Sequence, residues 1–477
     1  MSNYSKLGKN TLLVFVGNVG SKIIGLLLLP FYTRWLSVED YGMTDLVTTY
    51  VAFLLSISTC SIADAIFVFP KDKSNKEKTV FFTSGLCFVV GCFIILFLLF
   101  YLSEDLMLTN GIFNVFSQYI WLIYGLIVSQ FFQQYLQQFV RSIDKMVVFS
   151  MTGIVLTVST AIFSFLLIPF LGVYGYILSL IFSNFVAAIY SFVFAQLYNY
   201  ISFSAYKWSF CKLMLKFSIP LIPNGIMWWF ISALNRPVME NYVGLSGIGL
   251  FAIANKFPNV ITLIFAAFTT SWQISVLDEY KNSDFSKFFN NVYYTIFLFL
   301  VIVYFGMAIM GMSFLKLLTT EDYYGAYIYI PILTFAALFL SMANLGASIF
   351  LATKESKYYL YSSVGGAIVA LIGNFTLIPM LGVLGAAISV VISVSIVCLL
   401  RIKYMWKYVQ IQNLSKYFIL ILLCVISMVQ TYMISKFHVY INLILLVIVL
   451  FVNREFILSA SLKLKGVVLN KILRRKL

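Results

Sequence analysis

The chain has 477 residues, 62% of them hydrophobic and only 10% charged, with 32 Lys/Arg against 17 Asp/Glu for a net charge of +15. A soluble chain of this size would carry about a quarter of its residues as charges; with a mean hydropathy of +0.97, the soluble, disordered and secreted disulfide-rich classes are excluded and an integral membrane protein is implied. Six scattered cysteines without a CxxC pair read as small buried hydrophobes, and a single histidine, His438, leaves little material for a metal or histidine-based catalytic site.

A bilayer core of about 30 Å needs about 20 apolar residues per helix. Fourteen stretches qualify: 11–34, 41–69, 79–102, 112–140, 146–169, 173–199, 213–235, 243–275, 289–315, 324–352, 357–379, 383–408, 415–435 and 439–460. Continuous apolar runs exclude the alternating pattern of a β-barrel, so the expected fold is an all-α membrane bundle of about 14 transmembrane helices. With the N-terminus inside, 26 basic residues fall in inner segments and four outside (Arg34, Arg236, Lys316, Lys436). That asymmetry predicts cytoplasmic termini and assigns the positive charge to topology and anionic lipid, not to nucleic acid. The first apolar run is too long for a signal peptide and lacks a small-residue cleavage site.

An internal repeat divides the chain. Residues 167–179, LIPFLGVYGYILS, match 377–389, LIPMLGVLGAAIS, at eight of thirteen positions. A weaker echo sets 35–43, WLSVEDYGM, against 242–250, YVGLSGIGL. Duplication predicts two like-oriented six-helix bundles, 1–200 and 201–410, around a central cavity, with an additional helix pair and basic tail over 411–477.

Polar groups at membrane depth are costly and mark candidate sites. Lys22, with Asn18 and Gly25 on its face, lies near the middle of the first span. Lys256 and Asn259 form a similar strip in the eighth. Two cations at depth suit an anionic substrate such as a phosphate. In the fourth span, Gln130, Gln134, Gln137 and Arg141 share one helical face; amides of this kind serve sugar hydroxyls or helix–helix bonding. Asn224 and Trp228 share a face of the seventh span, where Trp228 could stack on a sugar or simply pack. Asp45 and Asp64 in the second span are candidate coupling sites for a proton or sodium ion, or structural partners of the two lysines. Proline breaks are expected at Pro30, Pro220, Pro223 and Pro258, whereas Pro169 and Pro379 should end their helices at the LGVYG and LGVLG turns.

The opening polar segment Gly17–Ser21, the Pro30–Arg34 end and the Leu36–Gly42 motif, followed by the repeated LIPxLGVxG and the ATKESKYYL segment at 352–360, resemble Wzx-type polysaccharide flippases. These belong to the multidrug/oligosaccharidyl-lipid/polysaccharide exporter superfamily. The resemblance implies movement of undecaprenyl-diphosphate-linked oligosaccharide repeat units, for O-antigen or capsule, across the bacterial cytoplasmic membrane by alternating access. It also implies basic cavity residues on the diphosphate, for which Lys22 and Lys256 are the fitting positions. Contacts with membrane lipids, a polysaccharide polymerase and other assembly proteins go with that reading, and no cofactor beyond a coupling ion. Rivals are a cation-coupled multidrug antiporter of the same superfamily, a membrane polymerase or ligase, and an unselective lipid scramblase. No GxxxxGK[ST] loop is present for nucleotide hydrolysis.

Overall fold

The computed structural model describes residues 25–110, 114–433, 437–456 and 458. Lys22, Asn18 and the Gly17–Ser21 segment lie outside them, as do Lys436 and the basic tail. All regular elements among the described residues are helical: α1 Leu29–Trp35, α2 Val38–Ser58, α3 Ile62–Val68, α4 Asn75–Asn110, α5 Asn114–Gln118, α6 Ile120–Ser142, α7 Met146–Phe194, α8 Trp208–Ser218, α9 Ile222–Ser232, α10 Asn235–Tyr242, α11 Leu245–Glu279, α12 Phe285–Leu318, α13 Tyr329–Ala352, α14 Lys357–Leu381, α15 Val383–Met405, α16 Leu414–Met433 and α17 His438–Val452. Seven helices among the described residues are long and apolar enough to cross a membrane, or up to nine if each of two bent pairs is one span, with α7, which doubles back at Gly172, counted once.

The repeated turn is built identically in both halves. Gly172 (φ 54, ψ −125) and Gly382 (φ 60, ψ −133) sit at equivalent positions in a backbone conformation open only to glycine. Each reverses the chain into a helical hairpin. Hydroxyl pairs cross the first: Ser164 Oγ to Ser179 Oγ at 3.3 Å and Thr152 Oγ1 to Ser191 Oγ at 2.8 Å. The following glycine lets the arms close, since a Cβ on Gly175 or Gly385 would lie 2.9 Å from the amide nitrogen of Ile168 or Ile378. Pro169 and Pro379 do not stop their helices as expected. Both lie inside helix, and the positive-φ glycine three residues on makes the break.

The other expected breaks differ in kind. The stretch 41–69 is bent by 60° between α2 and α3, where Cys60 and Ser61 take left-handed φ values of 52° and 49°. No proline or glycine marks that site. Around Pro220 and Pro223 the chain passes from α8 through a short 3-10 turn, Ile219–Leu221, into α9. The α8 segment packs on the first half: Cys211 Sγ donates to the Ser84 carbonyl at 2.9 Å and Lys207 N–H to Ser84 Oγ at 3.0 Å. By contrast α9 packs mainly on α14. Pro258 lies within α11 without ending it, and Pro30 opens α1.

The pair α16–α17 packs on α12 through a polar seam in an otherwise apolar contact. Tyr304 donates to the Cys424 carbonyl at 3.0 Å and to Ser427 Oγ at 3.1 Å, and Ser427 Oγ donates to Asn442 Oδ1 at 2.6 Å. Bonds of this sort between membrane helices contribute about 0.6 kcal/mol each on average.

Candidate functional site

Apart from α8, which packs on the first half at Ser84, the two halves meet at one end. There α2 and α11 cross at Gly42 and Gly249: a Cβ on Gly42 would strike the Leu245 carbonyl, and one on Gly249 the Val38 carbonyl. Val38 and Gly42 correspond to Leu245 and Gly249 in the repeat, so the contact is reciprocal, as about a two-fold axis. Polar bonds surround this crossing. Arg236 Nε donates to Asp45 Oδ2 at 3.1 Å. Glu240 accepts from Tyr50 OH at 2.6 Å and from the Val115 N–H at 3.0 Å. Trp229 Nε1 reaches the Thr49 carbonyl at 3.2 Å, and Tyr323 OH the carbonyls of Leu36 and Ser37 at 3.0 and 2.9 Å. A continuous apolar core joins the first half to this end of the second, through Val238, Phe251, Leu315 and Tyr327. Farther along, the second half has a separate core with the added pair.

Beyond the crossing lie two adjoining chambers, the first between the halves and the second within the second half. The first, about 360 Å³, lies between Thr48, Thr49 and Ala52 of α2 and Trp228, Ser232, Arg236, Asn255, Asn259 and Thr262 of the second half. The second, about 730 Å³, continues from the shared Thr262 and Leu340 past Gln273 and Asn344 to Lys354, Ser356 and Tyr359. Lys354 and Ser356 belong to the loop joining α13 to α14, so this chamber reaches the end of the molecule opposite the Gly42 crossing. By chain alternation that end also carries the lysine-rich loops at 70–78, 207 and 281. The linings combine indole, phenol, amide, hydroxyl and basic groups, and no aspartate or glutamate is among them.

The candidate residues scatter around these chambers. Trp228 and Asn259 line the first. Asn224 has a buried side-chain oxygen without a hydrogen-bond partner one turn earlier on α9. Lys256 turns away from Asn259: its Nζ lies 5.8 Å from the Tyr41 ring centroid on the first half, without a carboxylate partner among the described residues. Asp45 pairs with Arg236 and not with a lysine. Asp64 is exposed on α3. Gln137 bonds to the helix that follows, its Nε2 donating to the Phe149 carbonyl at 3.1 Å while its Oε1 accepts from Gln133 at 2.8 Å. Arg141 lies over the Phe67 ring at 4.1 Å. Gln130 and Gln134 are half-buried on the same helix, and none of these four lines either chamber.

Two arginines that the sequence placed in loops belong here. Arg236, expected outside, lines the first chamber. Arg401, expected among the inner loop residues, is 0% exposed within α15. Its Nε donates to Ser362 Oγ at 3.1 Å and its Nη1 to Asn344 Oδ1 at 3.0 Å; its guanidinium lies 4.3 Å from the Tyr359 ring and 5.7 Å from Trp228. Its position at the end of an apolar helix, followed by Lys403 and Lys407, disguised it as topological charge. Only the hairpin register with Ser362 reveals it.

A family model described as polysaccharide biosynthesis protein matches residues 7–273. An uncharacterized membrane protein of Methanocaldococcus jannaschii is 28% identical over 248 residues, 48% of this chain and 48% of that protein. The alignment thus spans about half the length of the curated relative. Among solved structures, a lipid II flippase MurJ in an inward-closed conformation superposes with a TM-score of 0.71 at 15% identity, covering 94% of this chain and all of that one. An inward-facing multidrug resistance MATE transporter of the MOP superfamily gives 0.64 at 12% identity, over 83% and 97%. At these identities the likeness is one of fold: a multi-helix MurJ- and MATE-like membrane architecture.

Proposed function

The chain belongs to the polysaccharide biosynthesis protein family, and from that premise we propose that it moves undecaprenyl-diphosphate-linked oligosaccharide units, as used for O-antigen or capsule, across the bacterial cytoplasmic membrane. The observation that carries this reading is the pair of adjoining chambers, the smaller between the halves and the larger within the second half and reaching Lys354 at the basic end, while the Gly42–Gly249 crossing and the Asp45–Arg236 pair join the halves at the other end. Its lining suits a saccharide: an indole face for stacking and amides and hydroxyls that both donate and accept. Its formal charges are basic, which favours an anionic cargo over the organic cations of a multidrug antiporter.

In the proposed cycle the head group enters the chambers from the cytoplasmic side while the polyprenyl tail remains in lipid. Separation of α2 from α11 at the glycine crossing, with closure at the basic end, exposes the sugar outside. Asp64, exposed on α3, is the remaining candidate for a coupling proton or sodium ion, since Asp45 is held by Arg236. Both termini are cytoplasmic in this scheme, and a polymerase would take the delivered unit.

The test is transfer of a fluorescent polyprenyl-diphosphate oligosaccharide in proteoliposomes, read by its accessibility to a quencher outside. Transfer above protein-free vesicles, with ordinary phospholipid probes unmoved, supports the reading. Equal movement of phospholipid identifies a scramblase, and dye efflux without glycolipid transfer identifies a drug antiporter.

A further inference from the structure

The repeat assigns Arg401 a counterpart. At the offset of 210 that relates the two LIPxLGVxG turns, Arg401 corresponds to Ser191 and Ser362 to Thr152. In the first half this register holds a hydroxyl pair, Thr152 Oγ1 to Ser191 Oγ at 2.8 Å. In the second half the same register holds Ser362 with Arg401, Nε to Oγ at 3.1 Å. The hairpin therefore closes with a small hydroxyl residue at this position, and its packing does not call for a cation.

The guanidinium is also not neutralised. No ion pair involves it among the described residues, and its Nη2 is buried without a hydrogen-bond partner. Breaking a buried pair is costly because it leaves one charge uncompensated, and Arg401 stands in that state already. Two of the groups around it, Asn344 and Tyr359, are in the wall of the larger chamber, and a third, Trp228, is in the wall of the smaller one. Lys354 is in the lining of the same larger chamber as Tyr359. The positive field of Arg401 thus falls on the wall of a 730 Å³ space that has no carboxylate among its described lining residues. Along α15, Arg401 is 19 residues past Gly382, about 28 Å at 1.5 Å per residue. That places it toward the basic end, away from the Gly42 crossing.

We propose that the larger chamber is an anion subsite of the second half, which takes the diphosphate of a polyprenyl diphosphate between Lys354 and the Asn344–Tyr359 wall backed by Arg401, and so orients the substrate with its saccharide toward Trp228. The proposal rests on the flippase reading and adds which half holds the anion and which way the cargo points. Farnesyl diphosphate presents the lipid-borne group, inorganic diphosphate the free anion, and farnesol the tail alone.

The experiment measures binding of these three probes to the full chain in nanodiscs, by shift of the thermal unfolding midpoint and by titration. Wild type is expected to bind farnesyl diphosphate and not farnesol; Arg401→Ser, which reproduces the first-half pair, is expected to fold and to weaken that binding at least tenfold. Lys354→Gln should weaken it as well, and Arg401→Lys should retain more affinity than Arg401→Ser. Equal binding of inorganic diphosphate would also support the anion subsite but remove the assigned orientation. Unchanged affinity in both Arg401→Ser and Lys354→Gln overturns the subsite, while glycolipid transfer by those variants leaves the flippase reading standing. If Arg401→Ser does not fold, Lys354→Gln decides alone, with unchanged affinity counting against the proposal. Absence of transfer by wild type instead removes the reading on which the subsite depends.

Discussion

Gly42 and Gly249 each bring their helix against the other's backbone, Gly42 facing the Leu245 carbonyl and Gly249 the Val38 carbonyl. Neither position tolerates a Cβ without movement, and both obstacles are main chain. Gly42→Ala and Gly249→Ala are each expected to cost about 1–3 kcal/mol by overpacking. Because either substitution already spreads the same crossing, the double variant should cost less than the sum. A double-mutant cycle on thermal or denaturant unfolding in detergent reads this coupling, and simple additivity would show that the two glycines act independently.

The Asp45–Arg236 pair spans the same closure with side chains 21% and 11% exposed. Asp45→Asn or Arg236→Gln alone leaves one partly buried charge without its partner. Hydrogen bonds to charged groups contribute about 1.5–3 kcal/mol, so each single variant should lower stability within that range. Cysteine labelling between α2 and α11 should rise as this end opens more often. The exchanged pair, Asp45→Arg with Arg236→Asp, should recover part of the loss; no recovery would mean the pair contributes little to closure.

At Gly172 nothing lies within 4 Å of a built Cβ, and at Gly382 only Val243 Cγ2 at 3.9 Å. Substitution there is therefore opposed by backbone conformation and not by space. Gly172→Ala and Gly382→Ala should each cost about 1–3 kcal/mol, and alanine and serine should cost about the same. Unfolding midpoints of the four variants check this; a much larger cost for serine would point to crowding.

Gln137 and Trp228 separate packing from cargo contact. Gln137→Ala removes a bond to the Phe149 carbonyl inside the first half and should reduce membrane abundance while leaving transfer per molecule near normal. Trp228→Ala opens the chamber wall and should reduce glycolipid transfer several-fold at equal abundance, with Trp228→Phe between the two. Base-level transfer assays normalised to quantitative blots distinguish these outcomes.

The membrane class, the helical fold and the repeated turn were all legible in the residues, because bilayer depth demands long apolar runs and only glycine adopts the conformation at 172 and 382. The bend at Cys60–Ser61 was not, since two ordinary residues enter left-handed conformation without any compositional mark. Single-helix periodicity singled out Trp228 and Asn259, which line the first chamber, and grouped Lys256 with Asn259, whereas its ammonium lies against Tyr41, because a face shared by two residues can border both a cavity and the opposite half. Arg236 and Arg401 escaped for a related reason: a cation near a helix end reads as topology until tertiary contacts show what it touches.

The joint at Ile219–Leu221 has a mechanical consequence. With α8 fastened to the first half through Ser84 and α9 laid along α14, one covalent thread is clamped to both bodies on either side of three residues. Any rocking of one body against the other must be absorbed there as torsion. Pro220 within this stretch and Pro223 in the first turn of α9 withhold backbone donors at the joint, so a swing of the bodies is taken up where the chain has the fewest bonds to hold it.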